Sequence, residues 1–319
     1  MLSFIVKRLL LIVVIVLVII LIMFILLYSL PGSSLRYMSI YSRDSDMLDS
    51  LFTSMNANDN LFNKYIRYCY NILLRFEFGT SVGTNLRLTR ELSYRVRNTL
   101  LILACGIAAT MLLGIPLGVY IAVHKNGKRD RIINALTLFC SAIPTFAMAM
   151  IVVLTLAVYL RLLPVVTTYK SPVAYVMPTI TIALGGIALI ARTTRASMLE
   201  VLEQPFITAL RSKGLKERDV VYHHAFKNAM IPVVSVLGGF IAQMLCGTFV
   251  VEQFFNVPGL GSYMLRSVGQ RDHLDILGCT VVIAVFLAST NILADVIYAY
   301  INPQIKLRYV KTKKQSHSR

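Results

Sequence analysis

The chain has 319 residues, 56% of them hydrophobic and only 15% charged, with a mean hydropathy of +0.69. A soluble domain carries about 25% charged residues, so the composition argues against a soluble protein and for a membrane protein. The net charge of +17 comes with no aromatic–basic platform or groove-reading motif, which argues against a nucleic-acid partner. Lysine and arginine collecting in cytoplasmic loops account for it instead.

Residues 9–27 form an unbroken apolar run behind Lys7 and Arg8, and a spanning helix needs about 20 such residues. The run is longer than the ~7–15 residues of a signal-peptide core. It ends at "YSLPGSS" rather than at a small-residue cleavage site. It therefore reads as a retained first span, and 1–30 as the first membrane segment. An extracytoplasmic segment, 31–97, follows. Within it, residues 34–77 mix apolar and polar positions, as in "LFNKYIRYCYNILLRFEFG". An amphipathic surface helix fits there, packed over span ends or facing a binding protein.

A five-helix core is expected over 98–303, with spans at 99–123, 132–160, 174–191, 229–251 and 274–300. Pro116 is tolerable in a membrane helix, and Pro144 predicts a kink in the span 132–160. A basic tail, 304–319, closes the chain. With the N-terminus inside, the two short inner loops carry 11 lysines and arginines, while the short outer loops carry Arg161, Lys170, Arg266 and Arg271. The short loops decide orientation, so both termini and the loop 192–228 are expected in the cytoplasm.

That loop holds "FITALRSKGLKERDVVYHHAFKNAMIP", residues 206–232. Its pattern predicts a helix over 198–212 that stops at Lys213-Gly214, since glycine takes the left-handed conformation at a helix end. A second helix is expected from Lys216 toward Ala229, with Glu217 and Asp219 in its first turn, where the helix dipole favours carboxylates. Val220, Val221 and Phe226 give it an apolar side. Such a segment suits a groove on another protein. A solvated loop, or an amphipathic segment on anionic lipid, fits the same spacing.

The residues here resemble the cytoplasmic loop of permeases from binding-protein-dependent ABC transporters. The generic motif is Glu-Ala-Ala, three residues, Gly, nine residues, Ile-x-Leu-Pro. This chain has Thr208-Ala209-Leu210 at the first element and Gly214 at the glycine. "LRSKGL…HAFKNAMIP" is similar to the dipeptide/oligopeptide/nickel branch, which reads "ARAKGL…HALRNALIP". "FGTSV" (78–82), "RTTRASMLEVL" (192–202), "VVEQFFNVPGLG" (250–261) and "NILADVIYAYINPQIKLR" (291–308) extend the resemblance over most of 78–308. After the first span the branch usually has Pro-Gly-Asp-Pro, whereas this chain has Pro31-Gly32-Ser33-Ser34.

The resemblance implies an all-α polytopic membrane protein of six transmembrane helices, with the fold of a type I ABC importer permease. It implies a peptide importer in a bacterial cytoplasmic membrane. The partners would be a second homologous permease, two cytoplasmic ATP-binding subunits and an extracytoplasmic substrate-binding protein. The helix at 215–221 would be the coupling helix, with Ala209, Arg211, Lys213, Gly214, Leu215, Glu217, Val220 and Val221 meeting the ATPase. Nickel or another small solute is an alternative cargo within the branch. A proton-coupled secondary transporter and a scaffold without a path are alternatives outside it.

Other residues bear on these alternatives. GxxxxGK[ST] is absent, so the phosphate-cradling amides of an ATPase are missing; a non-catalytic subunit is expected. Cys69, Cys105, Cys140, Cys246 and Cys279 form no CxxC pair, and the adjacent His223 and His224 diverge by about 100° on a helix. No metal or cofactor is expected. Gln243, Thr248 and Glu252 are read as one side of the fifth span, either a polar path or an interhelical hydrogen-bonding face. Asp295, an acid inside the last apolar run, is either a structural partner or a proton-coupling group.

Overall fold

The first apolar run folds as one helix because lipid offers no partner for a backbone N–H, so every peptide group must be satisfied within its own segment. α1 spans Leu2–Ser29. Val16, Ile20, Phe24 and Leu27 are buried along one stripe, while Leu10, Val14, Val18, Ile22 and Ile25 are exposed. A helix with an apolar outer face is what hydrocarbon surroundings call for. The computed structural model describes residues 2–29, 60–81, 86–165 and 171–301, with side chains outside 2–9, 28 and 293–301.

The remaining helices are α2 (Leu61–Tyr70), α3 (Leu88–Ala109), α4 (Ile115–Val123), α5 (Lys128–Ala142) and α6 (Thr145–Val153). They are followed by α7 (Val176–Leu202), α8 (Pro205–Ser212), α9 (Phe226–Phe254), α10 (Leu260–Gln270) and α11 (His273–Ile301). Among the described residues there is no strand, only an isolated bridge between Thr80 and Arg87. Among the described residues, five stretches are long and apolar enough to cross a membrane: Leu10–Leu27, Leu88–Val123, Pro172–Leu202, Glu217–Phe254 and His273–Ile292. A sixth exists if α5 and α6 together make one broken span.

Prolines set the interruptions. Pro116 cannot donate to the carbonyl four residues back, and a π turn over Thr110–Gly114 accommodates it between α3 and α4. The expected single span 132–160 is not a kinked helix. Ile143 is extended (φ −77°, ψ 127°), and α5 and α6 meet at 111°. Clash with the Pro144 ring drives the preceding residue out of helical conformation, so the proline breaks the helix. Likewise, the expected helix 198–212 divides at Gln204 (φ −74°, ψ 147°), the residue before Pro205.

The chain forms two compact units, Met1–Leu100 with Asn256–Ser289, and Leu101–Phe255 with Thr290–Arg319. In the first, the buried stripe of α1 packs with Tyr68 and Cys69 of α2 and with Ile276, Leu277 and Val281 of α11. The amphipathic helix expected in 34–77 is seen as α2; residues 30–59, and the tail from 302, lie outside the described residues. A buried polar knot also sits in this unit. Asp275 accepts from Tyr263 at 2.6 Å and Ser81 at 2.9 Å, and the Arg95 guanidinium lies 4.0 Å from the Tyr263 ring centroid. Burial, and then the Asp275 contact, push the Tyr263 phenol well above its ordinary pKa.

In the second unit, α7 is the central helix, packed by the π turn Thr110–Gly114, α4, α5, α6 and α9. Its approach to α4 requires glycine. A Cβ on Gly118 would lie 2.5 Å from Thr194 Cβ and 2.6 Å from the Ala191 carbonyl oxygen. Small residues that let membrane helices approach closely are a common packing device.

Candidate functional site

The loop 192–228 lies wholly in the second unit and is mostly structured. α8 carries an apolar residue, Ile207, that is completely buried. It packs in one cluster with Val119 and Ala122 of α4, Met198 and Val201 of α7, and Val220, Val221, Ala225 and Ala229 at the start of the next long helix. Burying one such aliphatic side chain contributes about 1.5–3 kcal/mol. The loop is thus a short helix held on the ends of three long ones.

α8 ends in a Schellman turn. Gly214 N–H donates to the Arg211 carbonyl at 2.9 Å, and Leu215 N–H to the Leu210 carbonyl at 3.4 Å. Gly214 has φ +79°, the left-handed conformation that this motif needs. Leu210 and Leu215 both pack against the cluster, which supplies the apolar contact of the motif. A bidentate pair closes the turn, with Arg211 donating to Glu217 at 3.0 and 2.6 Å. Both side chains are about half exposed, so the pair contributes at most ~1 kcal/mol. Its hydrogen bonds raise the Arg211 pKa further.

Two further pairs brace the neighbouring elements. Arg195 of α7 donates to Asp130 of α5 at 2.7 and 2.8 Å, and Asp130 also accepts from Asn126 N–H. Lys125 meets Glu203 at 2.6 Å on the surface and holds its carboxyl below the usual range.

The eight sequence-predicted coupling residues are brought together, but they do not share one surface. Ala209, Arg211, Lys213, Gly214 and Glu217 are exposed, and Leu215 is half-buried. Val220 and Val221 are buried in the chain's own cluster and offer no surface to a partner. The separate short helix is also not at 215–221. Glu217–Asp219, the π turn Val220–Ala225 and α9 run on as one continuous stretch, and the free-standing helix is α8. Pro205 and Gly214 mark its two ends, and the sequence reading had used only the second.

The break between α5 and α6 helps to form a cavity of about 420 Å³, within the range of small-molecule sites. α9 contributes Phe240, Gln243, Met244 and Gly247, and α7 contributes Thr181, Ile182, Gly185, Leu189 and Arg192. Each set follows the helical repeat. Of the sequence-predicted path residues, Gln243 lines this cavity. Thr248 and Glu252 do not: both are fully buried, and the Thr248 hydroxyl donates to the Met244 carbonyl in its own helix. A separation of five residues turns a helix by about 500°, so Gln243 and Thr248 point roughly 140° apart. They never formed one side. The Asp295 side chain lies outside the described residues. Arg192 is the residue the sequence reading missed. It had been counted only as a loop cation, although it falls on the same face as Thr181, Gly185 and Leu189.

Residues 114–307 match the family described as "Binding-protein-dependent transport system inner membrane component". Residues 1–105 match the corresponding N-terminal family. The chain is 34% identical over 314 residues to the dipeptide transport system permease protein DppB of Bacillus subtilis (strain 168), covering 96% of this chain and 99% of that protein. It is 31% identical over 308 residues to the glutathione transport system permease protein GsiC of Pectobacterium atrosepticum, covering 97% and 100%. Among solved structures, an amino acid ABC transporter aligns with a TM-score of 0.54 at 15% identity, over 66% of this chain and 94% of that one. The MetNI methionine ABC transporter aligns with the same TM-score at 17% identity, over 66% and 96%. At these identities the likeness concerns the fold.

Proposed function

Because the chain belongs to the family of binding-protein-dependent transport system inner membrane components, we propose that it is the permease subunit of an ATP-driven importer of short peptides. The relatives named for dipeptides and for glutathione favour a peptide over nickel or another small solute. The chain forms half of the translocation path beside a second, related permease. Two ATP-binding subunits lie beneath, and a binding protein delivers cargo from outside. The membrane is the bacterial cytoplasmic membrane, with both termini in the cytoplasm, as the loop charges require. The chain does no hydrolysis of its own.

The observation that carries this reading is the burial of Ile207 in a cluster shared by α4, α7 and α9. Ala209, Arg211, Lys213, Gly214, Leu215 and Glu217 contact the ATPase, while Val220 and Val221 anchor the element. Closure of the ATPases on ATP displaces α8, and the packed cluster passes that displacement to the long helices. Close-packed interiors transmit strain rather than absorb it. Alternating access follows when nucleotide and cargo each favour one of two packings.

Reconstitution of the four kinds of subunit into vesicles tests this. Peptide uptake is expected to require a hydrolysis-competent ATPase and to survive an uncoupler. Uptake that persists with an inactive ATPase and collapses with the proton gradient would establish a secondary transporter instead.

A further inference from the structure

The cavity between α5–α6, α7 and α9 contains an unusual cation. The Nε of Arg192 is shielded from solvent and has no hydrogen-bond partner. A charged donor left dehydrated and unpaired is costly, so such a group is retained where something else satisfies it. Its neighbours are satisfied internally. Arg195, one turn further on, is paired with Asp130, and Arg211 with Glu217. Neither lines the cavity, and no acidic side chain does.

The rest of the lining suits a peptide. The hydroxyls of Ser141 and Thr181 donate to carbonyls of their own helices, Leu138 and Met177. Both residues line the cavity, and their hydroxyl oxygens retain acceptor capacity. Gln243 supplies an amide, and Phe240 and Met244 supply apolar surface. The Arg192 guanidinium is thus the one charged group in a space otherwise lined by neutral polar groups and apolar walls. A planar guanidinium matches a carboxylate through two parallel hydrogen bonds.

The geometry points to Arg192 as the group that receives the terminal carboxylate of a peptide in this cavity. The assignment rests on the peptide-importer reading and deepens it: the permease, and not only the binding protein, selects for a free carboxylate. Lysine at this position retains the charge and loses the planar fork, so it preserves the preference weakly.

Cys140 lines the same cavity and serves as a built-in reporter. Cys105 and Cys246 are exposed, whereas Cys69 and Cys279 are buried. In the complete reconstituted complex carrying C105A and C246A, the rate of Cys140 modification by the anionic sulfonatoethyl methanethiosulfonate is followed by mass spectrometry. Dialanine and dialanine amide are compared as protectants. Dialanine is expected to slow modification roughly tenfold and the amide little, the ratio set by a charge-assisted pair of hydrogen bonds. Arg192→Gln should abolish the protection by dialanine, and Arg192→Lys should keep part of it.

Equal protection by acid and amide, no protection by either, or protection that survives Arg192→Gln would each overturn the assignment. ATP-driven dialanine uptake by the same vesicles separates this from the broader reading. Uptake with no carboxylate-dependent protection removes only the role of Arg192. Absence of uptake removes the peptide importer and the subsite with it.

Discussion

At the scale of single residues, two positions carry most of the consequence. Gly214 has φ +79°, yet a Cβ added there meets nothing within 4 Å. The cost of substitution is therefore conformational, about 1–2 kcal/mol for an ordinary L-residue in the left-handed region, and not steric. Gly214→Asn should be tolerated, because asparagine visits that region. Gly214→Val should lose substrate-stimulated hydrolysis, measured beside co-purification of the ATPase. Asp130 is the second position. It is almost wholly buried against Arg195, which keeps a 23% exposed side chain. Asp130→Asn leaves that charge unmatched. A loss of about 1–3 kcal/mol is expected in detergent melts, below the range for a fully buried pair. The double variant with Arg195→Gln should recover part of it. The glycine was readable from the sequence, because Lys-Gly after an apolar-periodic run is a stop signal. The ion pair was not, because its partners are 65 residues apart and local spacing holds no trace of the contact.

At the scale of elements, helix existence was legible and helix breaks were less so. The apolar runs announced the spans because hydrocarbon imposes one solution on the backbone. Pro144 announced a disturbance without its size, and the break at Pro205 went unread. A proline inside a membrane helix can be absorbed, as Pro232 is within α9, or can separate two helices by 111°, as Pro144 does. Packing around the site decides, and sequence periodicity does not encode it. The same limit applied to the helix expected at 215–221, which is the start of a longer continuous stretch. Val220 and Val221 read as a docking face, but apolar residues say only that something covers them; here it is the chain's own cluster. Close packing between α4 and α7 makes a separate prediction. Gly118→Val places a branched side chain against Thr194 and the Ala191 carbonyl, where overpacking costs about 1–3 kcal/mol. Lower melting temperature and loss of uptake should follow, with surface substitutions on α4 such as Tyr120→Phe serving as controls.

At the scale of the whole molecule, α8 is packed onto the ends of α4, α7 and α9 through one buried cluster. The family was legible from the loop motif and the segments around it. The cavity was not, because its lining comes from helices distant in sequence, and Arg192 looked like one more cytoplasmic cation. The direct test of the central claim weakens the joint without touching the exposed face of α8. Ile207→Ala removes the buried side chain that fixes α8 to the cluster, a loss of about 2–5 kcal/mol of local packing. Peptide uptake and ATP hydrolysis are then measured in the same vesicles. Hydrolysis within about twofold of wild type beside uptake lowered about tenfold is the predicted result. Uptake and hydrolysis that stay in their original ratio, whether both hold or both fall, would contradict transmission through that cluster.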